Sequence, residues 1–137
     1  MSTLPSVRTH MDTEVHTFSP DTDIMEAIDC LLSWRVTGAP VVDSAVQVVG
    51  ILTEKECLKL LAMGTDGNRS TGTVSDFMQK NVVTIPPDMN IYYAAGLLLN
   101  HNFRRLPVVA GGKLVGAITR FDILRAVSLN RHLVEGN

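Results

Sequence analysis

Residues 50–58 read GILTEKECL and residues 116–124 read GAITRFDIL. Each copy runs Gly, two apolar residues, Thr, two variable residues, an acid and then apolar residues. The acid is Glu56 in one copy and Asp122 in the other. A short apolar run that ends on Thr and turns at once into a charged, helix-compatible stretch reads as a strand passing directly into a helix. If the whole chain is duplicated, the residues around this device must align at constant spacing.

They do. Val7–Met11 (VRTHM) aligns with Val74–Met78 (VSDFM), Thr17 with Thr84, Ile24 with Ile91, Ala27 with Ala94, and Pro40–Val42 with Pro107–Val109, each pair 67 residues apart. From Gly50 and Gly116 onward the offset is 66, so one residue has been lost at the turn before Lys113, where Gly111-Gly112 stands. Hairpin tips are exposed and tolerate such changes. The repeats span residues 7–63 and 74–133, with a polar, Gly-rich linker over 64–73 between them.

Within each repeat the periods change in the same order. Ile24, Ala27, Ile28, Leu31 and Leu32 form one apolar helix face, as do Ile91, Ala94, Ala95, Leu98 and Leu99. Pro40–Val42 and Pro107–Val109 are short and β-branched, as strands are. Turns at Asp43–Ala45 and Ala110–Lys113 lead to second strands at Val48–Leu52 and Leu114–Ile118. Helices follow over Glu54–Met63 and from Arg120 to about Leu133. The expected fold class is α/β (α+β): two pseudo-twofold-related β-α-β-β-α repeats packed through their small sheets, since one repeat alone buries too little core.

The 137 residues are 45% hydrophobic and 19% charged, the balance of a soluble globular protein. A net charge of −2 and the absence of an extended basic stripe argue against nucleic acid or an anionic membrane as partner. No apolar run approaches the roughly 18 residues needed to span a bilayer, and the first residues lack a secretory pattern. Cys30 and Cys57 sit among apolar neighbours without Cys-x-x-Cys spacing, and read as reduced thiols in or near the core, with a disulfide or metal pair as the alternative. His10, His16, His101 and His132 are scattered, so no metal site is expected. There is no nucleophile with a nearby base and no Gly-x-x-x-x-Gly-Lys phosphate loop. Gly111-Gly-Lys113 lies between two strands and reads as a hairpin turn. The chain is therefore expected to be a cytoplasmic protein without catalytic residues or a required cofactor.

The acid of the repeated device has two readings. Thr53 and Glu56 match a capping box, in which the Thr side chain and the acid three residues on satisfy each other's backbone N–H. Asp122 is shorter than the Glu or Gln such a box favours, although an acid in the first turn suits the helix dipole. It also suits a vicinal diol, because a carboxylate offers two oxygens and no donor to the 2′- and 3′-hydroxyls of a ribose. Arg104 and Arg105 lie between a helix end and a strand, and read either as solvated charges at a helix C-terminus or as a planar phosphate grip. The matching place in the first repeat, Val36-Thr37-Gly38, offers a hydroxyl and open backbone instead.

Taken together, Val74–Met78, Val83–Pro86, Arg105–Val109 and Gly116–Asp122, with Val7–Met11, His16–Phe18, Gly38–Val42 and Gly50–Thr53, resemble the cystathionine β-synthase (CBS) domain. Two copies of that domain form a Bateman module. The resemblance covers about residues 7 to 128. It implies a regulatory, energy-sensing module that binds an adenine nucleotide (AMP, ADP or ATP) or a related adenosyl ligand in the cleft between repeats. Carried over, Asp122 holds the ribose, Thr119 lies beside the phosphates, and Arg105 contacts phosphate with Arg104 or Arg120 as helpers. The adenine and ribose wall falls to Thr17, Thr22, Val36, Thr37 and Gly38. A second, weaker cleft would use Thr53, Glu56, Thr84, Met89, Phe103 and Arg104, but Glu56 replaces the family's Asp there and Gly38 stands in the place of Arg105. The resemblance further implies a homodimer formed through helices and an effector protein that reads the ligand state. The alternative is a ligand-free structural or interaction module with a vestigial cleft.

Overall fold

Asp23 and Asn90 stand just before the two strongest apolar periodicities. In the structure, a computed structural model that describes residues 4–63, 71–101 and 104–131, each caps a helix. The elements in order are α1 (Val7–His10), α2 (Ile24–Trp34), β1 (Gly38–Val42), β2 (Val48–Thr53), α3 (Glu54–Met63), α4 (Val74–Phe77), α5 (Ile91–Asn100), β3 (Arg105–Ala110), β4 (Lys113–Thr119) and α6 (Arg120–Leu129). The Asp23 side chain accepts from the Glu26 N–H at 3.0 Å and that of Asn90 from the Tyr93 N–H at 2.9 Å. Both bonds satisfy donors that the helix itself leaves unpaired. Ile24, Ala27 and Leu31 of α2 and Ile91, Ala94 and Leu98 of α5 are buried, as the period predicts. Leu32 and Leu99 are not: they are 72% and 80% exposed. Eight residues of a 3.6-residue period turn a side chain about 80° from the first, to the margin of the apolar stripe.

The two hairpins form as expected, β1 with β2 and β3 with β4, each antiparallel with a bulge at the same place. Gly111 and Gly112, at φ +59° and +77°, make the two-residue turn that Ala110 and Lys113 close. The longer turn of the first repeat is held instead by Asp43, whose Oδ1 accepts from the Ala45 and Gln47 N–H groups at 2.9 Å each. The strand expected to open each repeat is reduced to one parallel bridge, Phe18 with Val41 and Ile85 with Val108. Prolines close by explain this, since Pro20, Pro86 and Pro87 have no N–H to extend a ladder. Helix α6 runs from Arg120 to Leu129, with the Asn130 side chain donating to the Ala126 carbonyl at 2.8 Å. Leu133, His132 and linker residues 64–70 lie outside the described residues.

The chain forms two compact units that are not the two sequence repeats. One combines Met1–Val15 with Val83–Asn137, and the other is His16–Val82. In each, the short leading helix comes from the other repeat. Val7 of α1 is fully buried among Ile91, Leu98, Leu106 and Ile118, and its N–H donates to the Met89 carbonyl at 2.8 Å. Behind it Asp12 and Ala117 exchange both backbone hydrogen bonds, at 2.9 Å each. In the other unit Val74 of α4 is buried among Ile24, Leu31, Val41 and Leu52, and its N–H donates to the Thr22 carbonyl at 2.8 Å. Gln79 and Ile51 there exchange both backbone bonds, again at 2.9 Å. The arm crosses the second strand where the repeated device has its glycine. A Cβ on Gly116 would stand 2.6 Å from Met11 Sδ and 2.8 Å from the Asp12 carbonyl oxygen, and one on Gly50 would collide with Met78 Sδ and the Gln79 carbonyl.

Candidate functional site

Strand β4 passes into α6 at Thr119 with no intervening loop, and the register of the hairpin sets Arg105 directly across from Thr119. One turn on, Asp122 reaches back: its Oδ2 accepts from the Thr119 N–H at 2.9 Å, while the Asp122 N–H donates to Thr119 Oγ1 at 3.1 Å. The capping box is therefore complete at the acid the sequence had given the poorer fit. The short side chain suffices because side chains lean toward the N-terminus of their helix. Asp122 Oδ1 accepts from Arg125 Nη2 at 2.8 Å, and Arg125 also lies over the Phe121 ring, 5.5 Å from its centre. Each carboxylate oxygen has two acceptor positions, so these contacts leave capacity for further donors. Among the described residues Arg105 has no side-chain hydrogen-bond or ion-pair partner, while Arg104 and Arg120 each have a partner.

The matching place in the other unit is built differently. Gly38 pairs across the hairpin with Thr53, and the Glu54 N–H donates to the Thr37 carbonyl at 2.8 Å. Glu56 is only 5% exposed. Its Oε1 accepts from the Thr53 hydroxyl and its Oε2 from Gln79 Nε2 at 3.0 Å, with Lys59 Nζ at 3.9 Å. Burial and then the neighbouring Glu56 charge push the thiol of Cys57 upward, so it stays protonated and inert at neutral pH.

Within single units, then, the structure brings together Arg105, Thr119 and Asp122, and separately Gly38, Thr53 and Glu56. Thr17, Thr22, Val36 and Thr37 belong to the His16–Val82 unit; Arg120, Thr84, Met89 and Arg104 belong to the other. Thr17 lies between His16, stacked on Trp34 at 4.3 Å, and Phe18, 5.1 Å from the same ring. Thr37 and Thr84 are exposed, and Met89 packs against its unit's core. Phe103 lies outside the described residues. Sequence reasoning missed Arg125 and Gln79. An Arg three residues after an acid on a helix is a readable ion-pair signal. The Gln79 contact spans 23 residues and left no local sign.

The sequence profile of the CBS domain matches this chain twice, over residues 7–63 and 74–129. The chain belongs to the CBS domain family. As a CBS pair it is 32% identical over 134 residues to the uncharacterized protein MJ1225 of Methanocaldococcus jannaschii, a match that takes in 96% of this chain. The chain spans about half, 47%, of that relative's length. Among solved structures, CBSX2 of Arabidopsis thaliana in complex with AMP superimposes with a TM-score of 0.81 at 32% identity, covering 93% of this chain and 98% of that one. The CBS domain pair of protein MJ0100, in complex with 5′-methylthioadenosine and S-adenosyl-L-methionine, gives 0.78 at 27% identity, covering 92% and 98%. The mixed helix and strand fold with two small antiparallel sheets is that of CBS-pair proteins. Among the described residues no helix is long and apolar enough to cross a membrane.

Proposed function

We propose that this CBS pair is a regulatory module that binds an adenine nucleotide of the AMP, ADP or ATP class, or a related adenosyl compound, and signals its presence to a partner protein. The observation that carries this reading is the alignment of Arg105 across from Thr119, with Asp122 fixed beside it. A planar cation, a hydroxyl and an oriented carboxylate with spare acceptor positions match phosphate and ribose diol. Arg104 and Arg120 are the proposed helpers, and Thr17, Thr22, Val36, Thr37 and Gly38 the proposed base and ribose contacts. Two CBS-pair proteins of the same fold hold AMP or S-adenosyl-L-methionine, which supports the ligand class. The module acts by binding, not by catalysis. Exposed apolar residues on the helices, Leu32 and Leu58 in one unit and Leu99, Phe121 and Leu124 in the other, support homodimerisation through helices. The proposed compartment is the cytoplasm, consistent with two free thiols.

Isothermal titration with AMP, ADP, ATP, S-adenosylmethionine and NADH tests the reading. At least one adenosyl ligand binds, and Asp122→Ala weakens it roughly tenfold or more, the loss of a charged hydrogen-bond acceptor. Absence of binding at millimolar ligand would sink it. A ligand-free structural module is the second reading, favoured by the engagement of both Asp122 oxygens, one in a helix cap and one in an ion pair. On that reading no adenosyl compound raises the melting temperature.

A further inference from the structure

The arm residue behind each exchanged helix stands next to a repeated device, and the two arms carry different chemistry. Asp12 and Gln79 are equivalent: each follows its arm's methionine by one residue and exchanges both backbone bonds with the second strand, at Ala117 and Ile51. Gln79 has a side-chain amide to donate, and it donates to Glu56 Oε2 at 3.0 Å. The Thr53 hydroxyl occupies Oε1, and the carboxylate is 95% withdrawn from solvent. Asp12 has no hydrogen to give Asp122 when ionised, and its Oδ1 accepts instead from the Glu14 N–H at 3.0 Å.

We infer that Gln79 is a specificity-determining clasp: it consumes the acid of the first repeat, ties α3 to the α4 arm, and limits the chain to one ligand-accepting acid, Asp122. The part concerning ligand number rests on the nucleotide reading above; the clasp itself does not. A buried carboxylate without donors is costly, so a residue that satisfies Glu56 also holds it. Ligand hydroxyls reaching Glu56 would have to open a site closed to solvent and held shut by Gln79. At Asp122, whose side chain is 13% exposed against 5% for Glu56, the arm's Asp12 turns to the Glu14 N–H instead, and the acid is the more open of the two.

Thermal unfolding of the full chain as wild type, Gln79→Met and Gln79→Glu, at about pH 7.5 and about pH 5, together with calorimetric titration of the wild type with AMP, tests this. Gln79→Met removes the donor at similar length and lowers the midpoint by about 3 °C at both pH values. Gln79→Glu lowers it further at the higher pH and regains at least half of that loss at the lower one, where one shared proton restores a donor–acceptor pair. Among the described residues, Lys59 and Cys57 are titratable groups placed beside Glu56, and Gln79→Met retains both as the control. AMP binds the wild type at one equivalent per chain. An unchanged midpoint in Gln79→Met, a Gln79→Glu loss indifferent to pH, or two equivalents of AMP overturns the clasp as stated. If none of the adenosyl ligands titrated above binds, the nucleotide reading falls and the melting curves decide the clasp alone.

Discussion

At Asp122 one oxygen closes the helix cap and the other meets Arg125, so deleting the side chain removes more than a ligand contact. Asp122→Ala is expected to destabilise the ligand-free protein by about 1 kcal/mol, the usual cost of a lost cap, read by denaturant unfolding. The exposed Arg125 pair adds little to this. Cys57 gives a second residue-scale outcome. Its folded value lies above the ordinary 9.0, first through burial and then through Glu56. The unfolded chain therefore releases the thiol proton first. The contribution to stability is complete below that ordinary value and is lost as pH climbs from it through the folded value. In Cys57→Ala the alkaline fall in melting temperature is shallower than in the wild type, and an equal slope would contradict the assignment. The repeated Thr and acid were legible as a strand-to-helix junction from spacing alone. Which acid caps and which is buried was not, because the partner that decides it, Gln79, lies on another element.

The glycine of the repeated device is explained at the level of elements. Gly116 is needed because the arm crosses β4 at that point, and the Asp12 carbonyl, pinned to Ala117, cannot retreat. Gly116→Ala is expected to cost about 2 kcal/mol through overpacking. Gly96→Ala, in α5 with nothing within 4 Å of an added Cβ, is expected to gain up to about 1 kcal/mol from helix propensity. Melting temperatures shifting in opposite directions check both. Periodicity located the long helices and hairpins, and the Gly111-Gly112 turn was readable from its chemistry. The opening strands were overread, since the prolines beside Phe18 and Ile85 cut them to single bridges.

Across the whole molecule the governing feature is the exchange of arms. A four-residue helix carries too little pattern to say which core it joins, so the exchange was invisible in the sequence. Val7→Ala is expected to cost about 2 kcal/mol and to speed hydrogen exchange in α5 and α6 more than in α2 and α3, although Val7 is adjacent in sequence to the latter repeat. Equal or reversed effects would contradict the exchange. A solitary repeat of this design has a core missing its first helix and an arm with no core to enter. It could be completed only by a second copy of itself, each lending what the other lacks. With both copies in one chain the mutual loan is internal, and independent of protein concentration. Halves that cannot part need not be identical, and the arms are not: one carries an amide, the other an acid.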